Sequence, residues 1–307
     1  MSVKVLVSSE TDDRAGVDSV LSIPGVEIVS YDPNDAELTE LQREAEILIP
    51  PYRGTHRAKW QVEALPHLRM VQLLSAGIDE WSGLMPAGVI LASSRGAHAG
   101  PVSEWVISAI LTQLRQWPAL VRFQDEGVWA HRKFDADTLS GKRVLIVGAG
   151  SIGTAVAQRL AAFNATSTLV AGTARAGVHS AAELPQLIRG HGIVVIAAPL
   201  TPATNGMVNT SFLGSMDDGS MLVNVGRGQI VDTMALVMEL KSGRLRAALD
   251  VMDPEPLPEG HPLWSCPGVI LSPHSARTVP GTSNLCYLVA ADQIRTFLSG
   301  GVPSNAA

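Results

Sequence analysis

The sequence predicts a two-domain α/β protein whose second half is a doubly wound parallel sheet. Three observations carry this reading. Short β-branched runs alternate with helical patterns along nearly the whole chain, and the 307 residues exceed what one hydrophobic core usually spans. The apolar run VLIVGAGSIG at 144–153 ends in glycines spaced GxGxxG.

The first set of strands is expected at Val3 to Val7, Ile47 to Ile49, Met70 to Leu74 and Ile90 to Leu91. A long amphipathic stretch, PVSEWVISAILTQLRQ, follows from Pro101, with proline at the helix start and a nearly continuous apolar face. Such a helix suits a bridge between domains or a dimer surface. The second set begins at VLIV and continues through STLV near 170, IVVIAAP near 195, SMLVNVG near 223, RAALDV near 249 and VILSPH near 271, with helices at Thr154 to Phe163 and Asp232 to Lys241. Binding loops are expected at the carboxyl ends of these strands.

Composition narrows the function. With 46% hydrophobic and 17% charged residues the chain reads as an ordinary globular enzyme, and its net charge of −6 lacks the basic excess of a nucleic-acid or anionic-membrane binder. Cys266 and Cys286 read as reduced structural thiols, and no CxxC or histidine-rich cluster points to a metal. No segment offers about 18 uninterrupted apolar residues, and the N-terminus lacks a leader pattern, so the expectation is a cytoplasmic protein with no membrane partner.

Within the glycine loop, Gly148 permits the tight turn, Gly150 lets backbone approach a pyrophosphate, and Gly153 allows close helix-to-strand packing. The next helix then offers free N–H groups and a positive dipole end to the phosphates. The acid that grips the adenosine ribose in NAD-selective proteins is expected roughly 20 residues on. Instead the chain reads TLVAGTARAGVHS, with no Asp or Glu before Glu183. Thr173 and Arg175 stand near that position, and an arginine there pairs with the 2′-phosphate of NADP. NADP(H) is therefore favoured over NAD(H), the plainer alternative being a solvated arginine beside a permissive NAD site.

Three further stretches carry ionisable residues just after apolar strands: VNVGRGQIVD, ALDVMDPEPLPEGHPLW and VILSPHSA. Strand ends on one sheet edge converge, so Arg227, Glu255 and His274 are candidates for a single site. Taken with the motifs SAGIDEW, GPVSEW, LSGKRVLIVGAGSIG, APLTPATNGMVN, NVGRGQIVD, LDVMDPEPL and SPHSA, the chain resembles the D-isomer-specific 2-hydroxyacid dehydrogenases over nearly its entire length. The resemblance lies towards the glyoxylate and hydroxypyruvate reductase branch.

That resemblance implies a Rossmann-type cofactor domain at 100–280, inserted in a smaller flavodoxin-like α/β substrate domain made of 1–99 and 281–307. It implies that His274 is the general acid when a 2-keto acid is reduced, that Glu255 orients the imidazole and favours its charged form, and that Arg227 pairs with the substrate carboxylate. It adds Ser151 and Ile152 at the pyrophosphate, Ala198 and Pro199 in the loop after the next strand, and Val225 and Gly226 with Arg227 along the nicotinamide. Asp250 is implied at the nicotinamide carboxamide, Ala76 and Gly77 at the substrate carboxylate, and Arg53 at the rest of the substrate. Closure of the cleft between the two domains would bring the Arg53 and Ala76 loops toward Arg227.

The implied reaction is NADPH-dependent reduction of a small 2-keto acid to the D-2-hydroxy acid, by a homodimer. A dinucleotide-sensing corepressor and a phosphite- or formate-type dehydrogenase stay open as alternatives. Asn164 departs from the family's glycine after the first βα helix, and Arg277 stands where small residues are commoner. Trp81, Trp105, Trp117 and Trp129 read mainly as packing residues, and His98 and His131 as locally satisfied histidines.

Overall fold

Residues 3–8 begin the chain with VKVLVS, whose apolar side chains fall on both faces of a strand; this is β1 (Val3–Ser8). The computed structural model describes residues 2–53 and 59–307. Contacts divide the chain into two units, Met1–His98 with Thr278–Ala307, and Ala99–Arg277.

In the first unit β1 is followed by α1 (Thr11–Leu21), β2 (Val26–Tyr31), α2 (Glu40–Arg43), β3 (Ile47–Ile49), α3 (Gln61–Ala64), β4 (Met70–Gln72) and β5 (Ile90–Ala92). The five strands pair in parallel in the order β2-β1-β3-β4-β5. That is the flavodoxin-like order. Val5, Val7, Ile47 and Ile49 pack on one face, and Leu6, Leu48 and Val71 on the other. Alternation along each strand thus fills two hydrophobic layers.

The second unit opens with α4 (Ala99–Leu114) and α5 (Trp117–Asp125). It continues with β6 (Arg143–Val147), α6 (Ser151–Ala162), β7 (Thr166–Ala171), β8 (Val178–Ser180), α7 (Leu184–Leu187), β9 (Ile193–Ile196), α8 (Thr210–Ser215), β10 (Met221–Asn224), α9 (Thr233–Lys241), β11 (Arg246–Leu249) and β12 (Val269–Leu271). The last helix, α10 (Thr282–Leu298), lies in the first unit and packs beside α1. The seven parallel strands run β12-β11-β10-β9-β6-β7-β8, the Rossmann order with one strand added beyond β11.

The α4 helix buries Val106, Ile107, Ile110 and Leu114 against α6 and one face of this sheet. Its Gln113 amide donates to the carbonyls of Ala247 at 3.0 Å and Gly268 at 2.8 Å, tying the helix to the start of β11 and the turn before β12. Leu213, Leu236, Val237 and Leu240, from α8 and α9, cover the other face.

Several local details differ from the sequence reading. β2 and β8 escaped it because both are half exposed, with Glu27, Ser30 or His179 interrupting the apolar pattern. The helix expected from Pro101 starts at Ala99, and proline occupies its first turn, where a missing N–H leaves no bond unmade. The helix expected from Thr154 starts at Ser151, inside the glycine motif.

Asn164 has φ of 56°, a left-handed conformation that asparagine tolerates better than most residues, so the turn keeps its shape without the glycine. Trp81 is 1% exposed and packs in the core, whereas Trp117 and Trp129 are 55% and 89% exposed. His98 is buried with its Nε2 at 3.2 Å from the Cys286 sulfur. Among the described residues, no helix is long and apolar enough to cross a membrane, and no group of three His, Cys, Asp or Glu side chains is placed to hold a metal.

Two buried groups set opposite pH responses. Burial pushes the Asp13 carboxyl up to about 6 from 3.8, against the opposing pull of the Tyr52 N–H, Ser8 and Tyr287, while Glu10 adds to the rise. The folded state therefore keeps a proton that the unfolded chain has lost; this contribution to stability is complete below about pH 4 and is lost as pH rises through about 6. His191 is buried with Nδ1–H donating to the Leu187 carbonyl at 2.6 Å and Nε2 accepting from the Thr168 hydroxyl at 2.9 Å. Burial holds its pKa below 6.5, so its contribution is present above 6.5 and is lost as pH falls. Thermal melts between about pH 4 and about pH 7.5 check both signs. Asp13→Asn is expected to gain on the wild type as pH rises from about 4 to about 6, and His191→Gln to gain on it as pH falls below about 6.5.

Candidate active site

The glycine motif forms a cradle between β6, α6 and β9. Gly148 has φ of 114°, and a Cβ there would stand 2.4 Å from the Ala197 carbonyl carbon. A Cβ on Gly153 would stand 1.9 Å from the Gly148 carbonyl oxygen. Only hydrogen fits at either place. At Gly150, the N-cap of α6, a Cβ would meet nothing within 4 Å, so the space above it is open for a ligand.

Ser151 and Ile152 follow in the first turn of α6, where backbone N–H groups have no intrahelical acceptor. These donors and the helix dipole suit a pyrophosphate. Ala198 and Pro199 flank the cradle after β9, the first 7% exposed and the second open to solvent. The residues present therefore fit a dinucleotide.

Beyond β7 the chain turns through exposed Gly172 to Gly177 and re-enters the sheet as β8. Arg175 closes this turn by backbone bonds with Val178 at 3.0 and 2.8 Å, and its Nη2 donates to the Ala149 carbonyl of the glycine loop at 2.6 Å. Its guanidinium thus stands at the loop, while Thr173 is exposed at the end of β7. Glu183, the first acid after this point, is engaged elsewhere. Its carboxylate accepts from His179 Nδ1 at 2.8 Å and from the Ser180 N–H at 2.8 Å, and the His179 bond holds it below the usual carboxylate range.

The chemistry-bearing loops leave the other half of the sheet. Asn224, Leu249 and Leu271, at the ends of β10, β11 and β12, are level in the parallel register. After β10, Asn224 shapes the turn: its Oδ1 accepts from the Gly226 N–H at 3.1 Å and its amide donates to the Arg227 carbonyl at 3.0 Å. Val225 is buried beside it. A Cβ on Gly226 would stand 2.7 Å from the Ala198 carbonyl oxygen, and one on Gly228 2.1 Å from the Met252 backbone. Arg227 is half-buried, with Nη1 donating to the Gly226 carbonyl at 2.9 Å.

Glu255 and His274 meet after β11 and β12. His274 Nδ1 lies 2.7 Å from Glu255 Oε1, with both side chains 38% exposed. A carboxylate accepts only, so Nδ1 carries the hydrogen and Nε2 is the nitrogen presented for proton exchange. His274 has φ of 51°, an uncommon backbone for a residue with a side chain, and Asp250 holds it there. The Asp250 carboxylate is buried and its Oδ1 accepts from the Ser272 hydroxyl at 2.5 Å and the Ser275 and Ala276 N–H groups at 2.8 and 3.1 Å. The His274 N–H in turn donates to the Asp250 carbonyl at 2.8 Å.

In the first unit, Ala76 and Gly77 form a half-buried turn after β4, pinned by a bond from the Ser75 hydroxyl to the Gly77 carbonyl at 2.7 Å. Arg53 pairs through Nε with Asp12 at 2.8 Å, its side chain 59% exposed; the two residues that follow it, Gly54 and Thr55, lie outside the described residues. Sequence reasoning missed Asn224, Gly228 and Ser272 as shaping residues. The string Asn-Val-Gly-Arg-Gly at 224–228 is the signal that marks the first two.

Comparison with known proteins bears on this arrangement. The family model for the D-isomer specific 2-hydroxyacid dehydrogenase NAD binding domain matches residues 107–276. The chain belongs to the D-isomer specific 2-hydroxyacid dehydrogenases. It is 30% identical to the human glyoxylate reductase/hydroxypyruvate reductase over 247 residues, 76% of this chain and 75% of that one. It is 33% identical to hydroxyphenylpyruvate reductase of Plectranthus scutellarioides over 246 residues, 78% of each. Among solved structures, a D-isomer specific 2-hydroxyacid dehydrogenase of Xanthobacter autotrophicus in complex with NADPH and MES superposes with a TM-score of 0.83 at 28% identity, over 99% of this chain and 98% of that one. The family consists of oxidoreductases, and its second unit here carries the Rossmann domain that binds a nicotinamide dinucleotide.

The two glycines of the cradle separate packing from binding. Gly153→Ala is expected to destabilise the protein by about 1–3 kcal/mol, because the new methyl meets backbone that cannot yield cheaply. Gly150→Ala is expected to leave the melting temperature within about 1 °C while weakening dinucleotide binding, since its methyl meets only the space for ligand. Thermal melts and a fluorescence titration with NADPH check the pair.

Proposed function

We propose that the protein reduces a small 2-keto acid, of the glyoxylate or hydroxypyruvate kind, to the D-2-hydroxy acid with NADPH. The observation that carries this reading is the Glu255–His274 pair at 2.7 Å, on loops leaving the carboxyl edge of the sheet that holds the glycine cradle. Gly148–Gly153, Ala198, Pro199 and Val225 would hold the dinucleotide, which when bound would supply the hydride for the keto carbon. His274 Nε2 gives its proton to the carbonyl oxygen, and takes it back in the reverse direction. Glu255 fixes the ring's tautomer and orientation.

Arg227 pairs with the substrate carboxylate in a forked geometry that lysine does not offer, and polarises the carbonyl. The Ala76 and Gly77 N–H groups bind the same carboxylate, and Arg53 meets the remainder of the substrate. Asp250 keeps acceptor capacity on Oδ2, which accepts from the Ala276 N–H at 3.2 Å, and this suits the nicotinamide carboxamide. The NADPH preference rests on Arg175 standing at the glycine loop where the ribose acid is missing, with Thr173 beside it. The human relative's name and the NADPH complex of the Xanthobacter relative support the substrate class and cofactor.

We further read the protein as a cytoplasmic homodimer. Cys266 and Cys286 are buried thiols, in keeping with a reducing compartment. Ile107, Leu111, Trp117 and Phe163 line an open groove along α4 that a second copy would cover. Sedimentation equilibrium checks the assembly, with Trp117→Glu expected to shift a dimer to monomer.

A spectrophotometric screen of 2-keto acids with NADPH and NADH in parallel tests the activity. Fastest turnover is expected for a small 2-keto acid with NADPH, and equal or better rates with NADH would overturn the cofactor reading. His274→Ala is expected to lower kcat by roughly 10²–10⁴-fold with NADPH binding retained. Arg175→Ala is expected to raise the KM for NADPH about tenfold while leaving that for NADH unchanged. Tight NADPH binding without turnover on any 2-keto acid would make the chain a dinucleotide sensor instead.

A further inference from the structure

The sheet of the first unit has a switch point of its own. In the order β2-β1-β3-β4-β5 the chain moves outward in opposite directions from β1 and β3, and a crevice past their carboxyl ends is where such sheets take ligands. Two segments border it: the first turn of α1, with Asp12 and Asp13, and the residues after β3 that end in Tyr52 and Arg53.

Asp13 is fully buried. Its Oδ1 accepts the Tyr52 N–H at 3.0 Å and the Tyr287 hydroxyl at 3.0 Å, the latter from a residue 274 positions away on α10. Gly16, one turn along α1, lets the Tyr287 ring approach so closely that a Cβ there would stand 2.1 Å from it. A carboxyl kept out of water is a poor way to stabilise a fold, since an apolar side chain of that size packs at less cost. What it offers is direction, because it grips one backbone N–H next to Arg53. The Asp12–Arg53 ion pair is exposed and cannot hold the loop by itself.

We propose that Asp13 is a positioning residue for substrate binding: by fixing the Tyr52 peptide against α1, it sets the point from which Arg53 reaches the keto acid. The inference rests on the reading of Arg53 as a substrate contact. The test compares Asp13→Ala, Asp13→Asn, Tyr287→Phe and Arg53→Ala in the full chain, measuring melting temperature, NADPH affinity, and kcat and KM for the best 2-keto acid.

Asp13→Ala is expected to raise the keto-acid KM about tenfold, with kcat within about twofold and NADPH affinity unchanged, since displacing a substrate contact by a fraction of an ångström is costly. Asp13→Asn keeps an oxygen acceptor for the Tyr52 N–H and restores KM to within about twofold. Tyr287→Phe lowers the melting temperature but leaves KM unchanged, because the Tyr52 bond stays. Should Asp13→Ala not fold, Asp13→Val, which fills the space without an acceptor, is read the same way. A normal KM in Asp13→Ala beside a raised KM in Arg53→Ala overturns the positioning role alone; a normal KM in Arg53→Ala overturns the Arg53 reading beneath it. A KM that merely follows melting temperature across the variants also overturns the proposal.

Discussion

Parallel pairing brings β10, β11 and β12 to an end at the same level, with Asn224, Leu249 and Leu271 side by side. The groups on the loops after these three strands depend on that register. A slip of one residue would turn each strand's side chains to the opposite face, moving Val223 and Leu249 out of their layers. It would also part the Asp250 carboxylate from the turn after β12 that it holds. The turn needs that grip, since a left-handed backbone at a non-glycine residue costs about 1–3 kcal/mol and persists only where its surroundings enforce it. Four bonds to the Asp250 side chain from Ser272, Ser275 and Ala276 provide the enforcement.

From there the arrangement follows by reach. With His274 held at φ 51°, its Nδ1 faces Glu255, and its other ring nitrogen is left for a proton partner. Close backbone approaches do the corresponding work on the cofactor side. Gly148, Gly153, Gly226 and Gly228 each stand where a Cβ would collide with neighbouring backbone, so loops from β6, β9, β10 and β11 nest against one another without side chains between them. This nesting places Ala198 against the turn that carries Arg227. The open direction at Gly150 is the exception, and it lies at the free N–H end of α6.

The first unit has a switch point of the same kind with different residues beside it. Where the second unit uses glycines and a helix N-terminus at its switch point, the first uses a buried carboxyl, Asp13, and an exposed ion pair, Asp12 with Arg53. Burial raises the affinity of Asp13 for its proton, and the hydrogen bonds from Tyr52 and Tyr287 oppose the rise. Through Tyr287, α10 meets the same carboxyl that accepts the Tyr52 N–H.

By itself the sequence determined the fold class, the glycine cradle, the missing ribose acid and the family motifs that single out Arg227, Glu255 and His274. All of these are local patterns: the alternation of apolar runs, glycine spacing, and short strings after strands. Strands β2 and β8 were not legible, because Glu27, Ser30 and His179 interrupt their apolar patterns, whereas the edge strands β5 and β12 keep uninterrupted apolar runs and were. Only the tertiary structure decided that α6 starts at Ser151 within the motif, that Arg175 folds back on Ala149, that Asp250 grips the His274 turn and that Asp13 meets Tyr287. The last three each join residues distant in the chain through a hydrogen bond, and such a partner is chosen by where the sheet delivers it, which no neighbouring residue encodes.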